Sequence, residues 1–289
     1  MLHFFQILIL AVVQGACELL PVSSSAHVIV AEKLMGLDPA SPEMTMLLVM
    51  LHTGTMFAVI VYFWRRWQRD FFAASGQAQW FVIQVLFATA CTCVVGLGLK
   101  LLIEKVVLRG QPHAEIEDLF NNLPVVAAAL AAVGVLIIYA GTHEGKEPRH
   151  SEVQPQHSLW IGLIQGLCIP FRGFSRSGAT ISTGLILGLP KPKLEEFSFA
   201  LAVVLTPLAI GVEAHRLLKS HVLHDSGTVM HLFLPGLLGM ALSFLAGLGA
   251  LVWLSQWLEA GRWKFFGYYC LAAAAAVLAL HFGHFAAHG

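Results

Sequence analysis

Uncharged runs long enough to cross a bilayer constrain this chain more than any other feature. About 20 apolar residues span the hydrocarbon core. Met44–Trp64, Phe71–Leu99, Leu119–His143, Ser226–Leu258 and Phe265–Gly289 are each free of Asp, Glu, Lys and Arg over such a length. Phe197–Val212 is shorter but extends helically in both directions, which makes six predicted spans. Composition agrees: 57% of the 289 residues are hydrophobic and 12% charged, against about 25% charged in a soluble domain. The 17 basic and 17 acidic residues cancel, so no nucleic-acid partner is expected. The five cysteines lie in apolar segments, and Cys91-x-Cys93 lacks zinc-ligand spacing. Met1–Leu10 has no basic region and runs on apolar toward Glu18, so no cleavable signal peptide is expected.

Two apolar regions break the pattern. Met1–Met35 carries Glu18, Pro21 and a serine run at its middle; Val153–Pro190 carries Pro170, Arg172, Gly173, Ser175, Arg176 and Ser177. Each reads as two half-length helices of about 12–15 residues, broken where a charge would otherwise face lipid. Such breaks are tolerated only where protein or water satisfies the backbone, so both regions read as re-entrant hairpins. They also repeat each other. Leu10-Ala-Val-Val-Gln-Gly-Ala-Cys17 matches Ile161-Gly-Leu-Ile-Gln-Gly-Leu-Cys168, a proline follows in both, and Ser23-Ser-Ser-Ala26 matches Ser175-Arg-Ser-Gly178. Each copy comprises one hairpin and three spans. An odd number of spans reverses the second copy, an inverted-topology repeat. The expected fold is an all-α integral membrane protein: one polytopic domain over residues 1–289, with repeats at about 1–143 and 153–289. Arg65, Arg66, Arg69, Lys146, Arg149, Lys191, Lys193, Arg262 and Lys264 fall on one side, nine against six on the other. The first side is therefore expected to be cytoplasmic, with both termini outside.

Chemistry-bearing residues concentrate at the two breaks. Gln14 and Glu18, four apart, share a helix face. A carboxylate in an apolar segment is costly unless paired, hydrated or protonated, so Glu18 is a candidate metal ligand or general acid/base, or else a structural buried acid. Ser23 is a candidate N-cap, and Ser23, Ser24 and Ser25 open the next helix, where hydroxyls and free N–H groups suit an anion. His27 follows Ser24 by three residues. In the second break Ser175 can cap, while Arg176 sits in the first turn against the macrodipole. A bound anion gripped by its guanidinium explains that placement, and Ser177 and Thr180 add hydroxyls. The set describes a phosphate site inside a membrane, with Ser23, Ser25, Ser175, Arg176, Ser177 and Thr180 as the phosphate-binding residues.

Gln14-Gly-Ala-Cys-Glu18 with Pro21-Val-Ser-Ser-Ser-Ala-His27 resembles the first motif of the bacterial undecaprenyl-diphosphate phosphatases of the bacitracin-resistance type, and Ser175-Arg-Ser-Gly-Ala-Thr180 resembles their second. His52-Thr-Gly54 and Glu196-Phe-Ser-Phe199 resemble further family signatures. The resemblance implies release of the terminal phosphate of undecaprenyl diphosphate, yielding the lipid carrier of wall synthesis, and it implies catalytic or phosphate-binding roles at Glu18, Ser24, His27 and Arg176. It also implies Mg²⁺ or Ca²⁺, here with Glu18 and Gln14 as ligands. Gln14 stands where many members carry a second glutamate, and Arg172 is an extra charge in Pro170-Phe-Arg-Gly173. The attacking group stays open between Ser24, Ser24 assisted by His27, and metal-activated water, with Ser24 and His27 preferred. The partners implied are a polyprenyl diphosphate and membrane lipids in the bacterial inner membrane, the site opening outward and a homodimer left open. The rival reading is a transporter or flippase for an anionic lipid or other anion, since inverted repeats with midplane anion sites also serve carriers. His221 with His224, and His281, His284 and His288, have metal-compatible spacings but read as interfacial residues.

Overall fold

The computed structural model describes residues 3–38, 41–72, 76–107, 122–143, 148–219 and 226–288; His221 and His224 lie outside them. The described residues form ten α-helices, one π-helical turn at Ile103–Val107 and no strand. α1 (Phe4–Leu19) and α2 (Ser24–Leu34) form a first short pair; α3 (Pro42–Phe72), α4 (Gln77–Leu102) and α5 (Leu123–His143) follow. α6 (Pro155–Cys168) and α7 (Arg176–Ile186) form a second short pair, then α8 (Lys191–Lys219), α9 (Ser226–Glu259) and α10 (Trp263–His288). α3, α4, α5, α8, α9 and α10 are long and apolar enough to cross a membrane, matching the six predicted spans.

The short helices stop for identifiable reasons. Leu20, just before Pro21, is extended (φ −71°, ψ 151°), as the proline ring requires of its predecessor. Ser23 then turns the chain with φ +67°, the one non-glycine residue at positive φ among those described. In the second break Gly173 takes φ +101°, and a Cβ there would meet the Val126 carbonyl. Only glycine satisfies both demands.

α5 and α10 pack along their lengths; α9 lies against α1 and α3, α4 against α6, and α3 against α8. Small residues permit the closest of these approaches, as in membrane helix pairs generally. Gly15 sits against the Ser243 carbonyl, and Gly54 against the Met240 carbonyl and Ser243 Oγ. Phe63, Phe197, Phe199, Leu130, Ile137 and Trp263 are fully buried, so the centre is a packed core. Val61, Val94, Leu97 and Leu245 are exposed on the outside, where lipid solvates apolar side chains. Gly54→Ala forces α3 off α9, because its methyl meets backbone atoms. Overpacking of this kind costs about 1–3 kcal/mol, and thermal unfolding of the detergent-solubilised variant should show a lower midpoint. An unchanged midpoint would mean that the two helices are not in contact here.

Candidate active site

The two backbone breaks meet. Ser177 Oγ donates to the Leu20 carbonyl at 3.2 Å, and the Gly173 N–H donates to Ser25 Oγ at 3.3 Å. Cys270 Sγ of α10 donates to the Pro21 carbonyl at 3.3 Å. Backbone groups freed by the first break thus find partners on α7 and α10, the condition for irregular backbone inside an apolar layer.

Glu18, in the last turn of α1, is the hub. Arg176 Nη2 donates to its Oε1 at 3.2 Å across the junction. Its Oε2 accepts from Ser24 Oγ at 2.5 Å and from Gln14 Nε2 at 3.2 Å, and lies 3.9 Å from His52 Nε2 of α3. Glu18 and Arg176 side chains both retain 19% exposure, enough to be reached. Arg176 Nη1 is buried and has no hydrogen-bond partner. A guanidinium nitrogen is always a donor and is costly to leave unmatched. It therefore waits for an acceptor, and it does so at the positive end of α7.

The predicted site residues divide. Glu18, Ser24, Gln14 and Arg176 come together. His27 does not join them: its Nδ1 contacts the Ser23 carbonyl at 2.8 Å and its Nε2 the Tyr269 hydroxyl at 2.8 Å. Its ring stacks on Tyr269 with centroids 5.6 Å apart, while the Ser24 hydroxyl donates its hydrogen bond to Glu18. Among the predicted phosphate-binding hydroxyls, Ser23, Ser175, Ser177 and Thr180 are buried and already engaged. Ser23 pairs with Ser25 at 3.3 Å and makes no cap, contrary to expectation. Ser175 does cap, accepting from the Gly178 N–H at 3.2 Å. Thr180 bonds the Arg176 carbonyl at 2.9 Å and Ser198 of α8 at 2.6 Å, which holds α7 in place from behind. Ser24 and Ser25 remain half-buried. The extra Arg172 directs its charge at Glu32, a buried carboxylate of α2.

As a cation site Glu18 and Gln14 do not fit. Three donors already bond the carboxylate, and Gln14 turns its amide nitrogen toward it. No group of three or more His, Cys, Asp or Glu able to hold a metal occurs among the described residues. His52 joins the site, and in the sequence it stands out only as part of a signature. Tyr269 stays outside it, bonded to His27, and shows in the sequence only as a polar tip in an aromatic run.

The chain matches the family described as bacitracin resistance protein BacA over residues 7–276. It is 55% identical to undecaprenyl-diphosphatase 2 of Acinetobacter baylyi, covering 97% of this chain and 98% of that protein. It is 34% identical to an undecaprenyl-diphosphatase of Polaromonas sp. over 94% and 92%, and 30% identical to one of Korarchaeum cryptofilum over 95% and 98%.

Proposed function

The chain belongs to the bacitracin resistance protein BacA family, and from that premise we propose that it hydrolyses undecaprenyl diphosphate to undecaprenyl phosphate and inorganic phosphate. Bacitracin resistance attaches to this activity through the family's description. The observation that carries the reading at atomic level is Arg176, with one nitrogen on Glu18 and the other buried and unmatched beside the Ser24 hydroxyl's own partner. A diphosphate oxygen supplies the missing acceptor, and the guanidinium with the α7 N-terminus neutralises charge on the transferring phosphoryl group.

Ser24 attacks the terminal phosphorus. Glu18, already bonded to its hydroxyl at 2.5 Å, takes the proton as the P–O bond to the lipid phosphate breaks. Phosphorylated Ser24 is then hydrolysed by water, releasing inorganic phosphate. In this proposal Glu18 replaces His27 as the base, and His27 keeps the strained Ser23 turn in shape. Mg²⁺ or Ca²⁺ accompanies the substrate as counterion of its diphosphate, and no step depends on a protein-held metal.

We further propose that α1–α2 and α6–α7 are re-entrant hairpins within an inverted repeat. Their lengths of 16, 11, 14 and 11 residues are too short to cross. The packing supports the repeat: α1 of the first half lies on α9, and α6 of the second half lies on its counterpart α4. Gly15 makes the first contact and Gly162 and Gly166 make the second. The excess of Lys and Arg on one side supports a cytoplasmic position for those loops, and on that orientation we read the site as opening to the outside of the inner membrane.

A carrier for anionic lipids would need Arg176 but not a serine hydroxyl pressed against a carboxylate, which favours the enzyme. Purified chain in detergent micelles, where no second compartment exists, should release inorganic phosphate from undecaprenyl diphosphate. Binding without release would return the assignment to a carrier.

A further inference from the structure

We infer that His52 is the general base of the second half-reaction, accepting the proton of the water that hydrolyses phosphorylated Ser24; this rests on the proposed role of Ser24 as nucleophile. Two imidazoles lie near the site, and their hydrogen bonds distinguish them. His52 Nδ1 is 2.8 Å from the Leu48 carbonyl one turn back in α3. A carbonyl oxygen only accepts, so Nδ1 carries the hydrogen and the neutral ring has its lone pair at Nε2. That nitrogen lies 3.9 Å from Glu18 Oε2. Two acceptors at that separation share no bond directly, but one water molecule hydrogen-bonded to both, with contacts of about 2.8 Å, fits between them.

His27 is arranged otherwise. Its Nδ1 hydrogen goes to the Ser23 carbonyl, and its Nε2 lone pair receives the Tyr269 hydroxyl, each at 2.8 Å. The carbonyl and the phenol leave it no free nitrogen. Of the two rings, His52 has the open lone pair beside the catalytic carboxylate, and its side chain is 37% exposed.

Proton accounting requires such a group. In the first half the bond from Ser24 Oγ to phosphorus forms, the bond from phosphorus to the bridging oxygen breaks, and the serine proton passes to Glu18. In the second half a water oxygen bonds phosphorus, the bond to Oγ breaks, and Oγ recovers its proton from Glu18. Glu18 enters that half already protonated, so it cannot also deprotonate the water. His52 Nε2 accepts that proton and returns it to solvent after phosphate leaves. Gly54, two residues on, sets the depth of α3 against α9 and with it the reach of this ring.

The test uses the full-length protein in detergent with undecaprenyl diphosphate radiolabelled at the terminal phosphate. His52→Gln is expected to form the lipid monophosphate within a few-fold of the normal rate in the first turnover. Steady-state phosphate release should then fall about 100-fold, with close to one label held per active site and mapping to Ser24. Added imidazole should restore release in His52→Ala, a response that a merely structural histidine would not give. Normal turnover by His52→Gln, or slow turnover without trapped label, overturns the inference while leaving Ser24 in place. Label on a residue other than Ser24, or labelling of the Ser24→Ala/His52→Gln double variant, overturns the nucleophile assignment beneath it. Because first-turnover amplitude counts only sites that react, partial misfolding does not imitate either result.

Discussion

Ser24→Ala should lower phosphate release by about 10⁶-fold, the scale seen when a covalent nucleophile is removed. Substrate binding should change little, because Arg176 and the α7 terminus remain. The hydroxyl is half-buried in the first turn of α2 and donates its hydrogen bond to Glu18, so the change deletes one atom without emptying a core. Glu18→Gln is the informative companion. If Ser24→Ala keeps most of its activity while Glu18→Gln loses it, water is the direct attacker and the covalent route is wrong. If both are inactive and neither becomes labelled, the pair acts before any intermediate forms.

Arg176→Ala should cost about 10³-fold in kcat/KM, or about 4 kcal/mol of transition-state stabilisation. The guanidinium has two duties here. Nη2 holds Glu18 in the orientation that receives Ser24, and Nη1 has no protein partner at all. Alanine removes both and leaves Glu18 with only Ser24 and Gln14 bonded to it. Arg176→Lys separates them: a lysine restores charge but presents no planar fork, so it should regain substrate affinity more than turnover. Steady-state kinetics with a mixed-micelle substrate measures both. An Arg176→Ala enzyme with near-normal kcat/KM would remove Arg176 from the transition state.

The parts of this architecture that are legible in sequence follow from the high energetic cost of errors in lipid. A carboxylate at position 18 and a guanidinium at 176 cannot lie in apolar helices without a reason, and each needs the other, so their meeting was readable before any coordinates. The six spans follow from the same rule. Direction was harder to read. Ser177 and Thr180 are the right residue types in the right turn, yet one faces the Leu20 carbonyl and the other Ser198, because rotation of α7 about its axis is decided by packing against α5, α6 and α8. Ser23 looks like a cap but takes φ +67°, since the chain must reverse within the few residues between Pro21 and Ser24. His27 is three residues from Ser24, and that spacing puts them on one face, but Tyr269 from the far end of the chain claims its free nitrogen. Spacing along one helix carries no information about a residue more than 200 positions later. His52 was hidden for the same reason: within an uncharged span, only the packing of α3 on α9 says which side of the helix meets Glu18.

The packing of α1 against α9 has a consequence for how the protein is made. During synthesis the first broken segment enters the membrane with Glu18 in its midst, while Arg176 and the helix that will cover Gly15 have not yet left the ribosome. For most of translation that carboxylate and the unsupported carbonyls of Leu20 and Pro21 need temporary shelter. The insertion machinery, a chaperone or a shallow, water-exposed resting position must provide it. α1 thus meets α2 and α3 early, but gains its long partner α9 only near the end of synthesis.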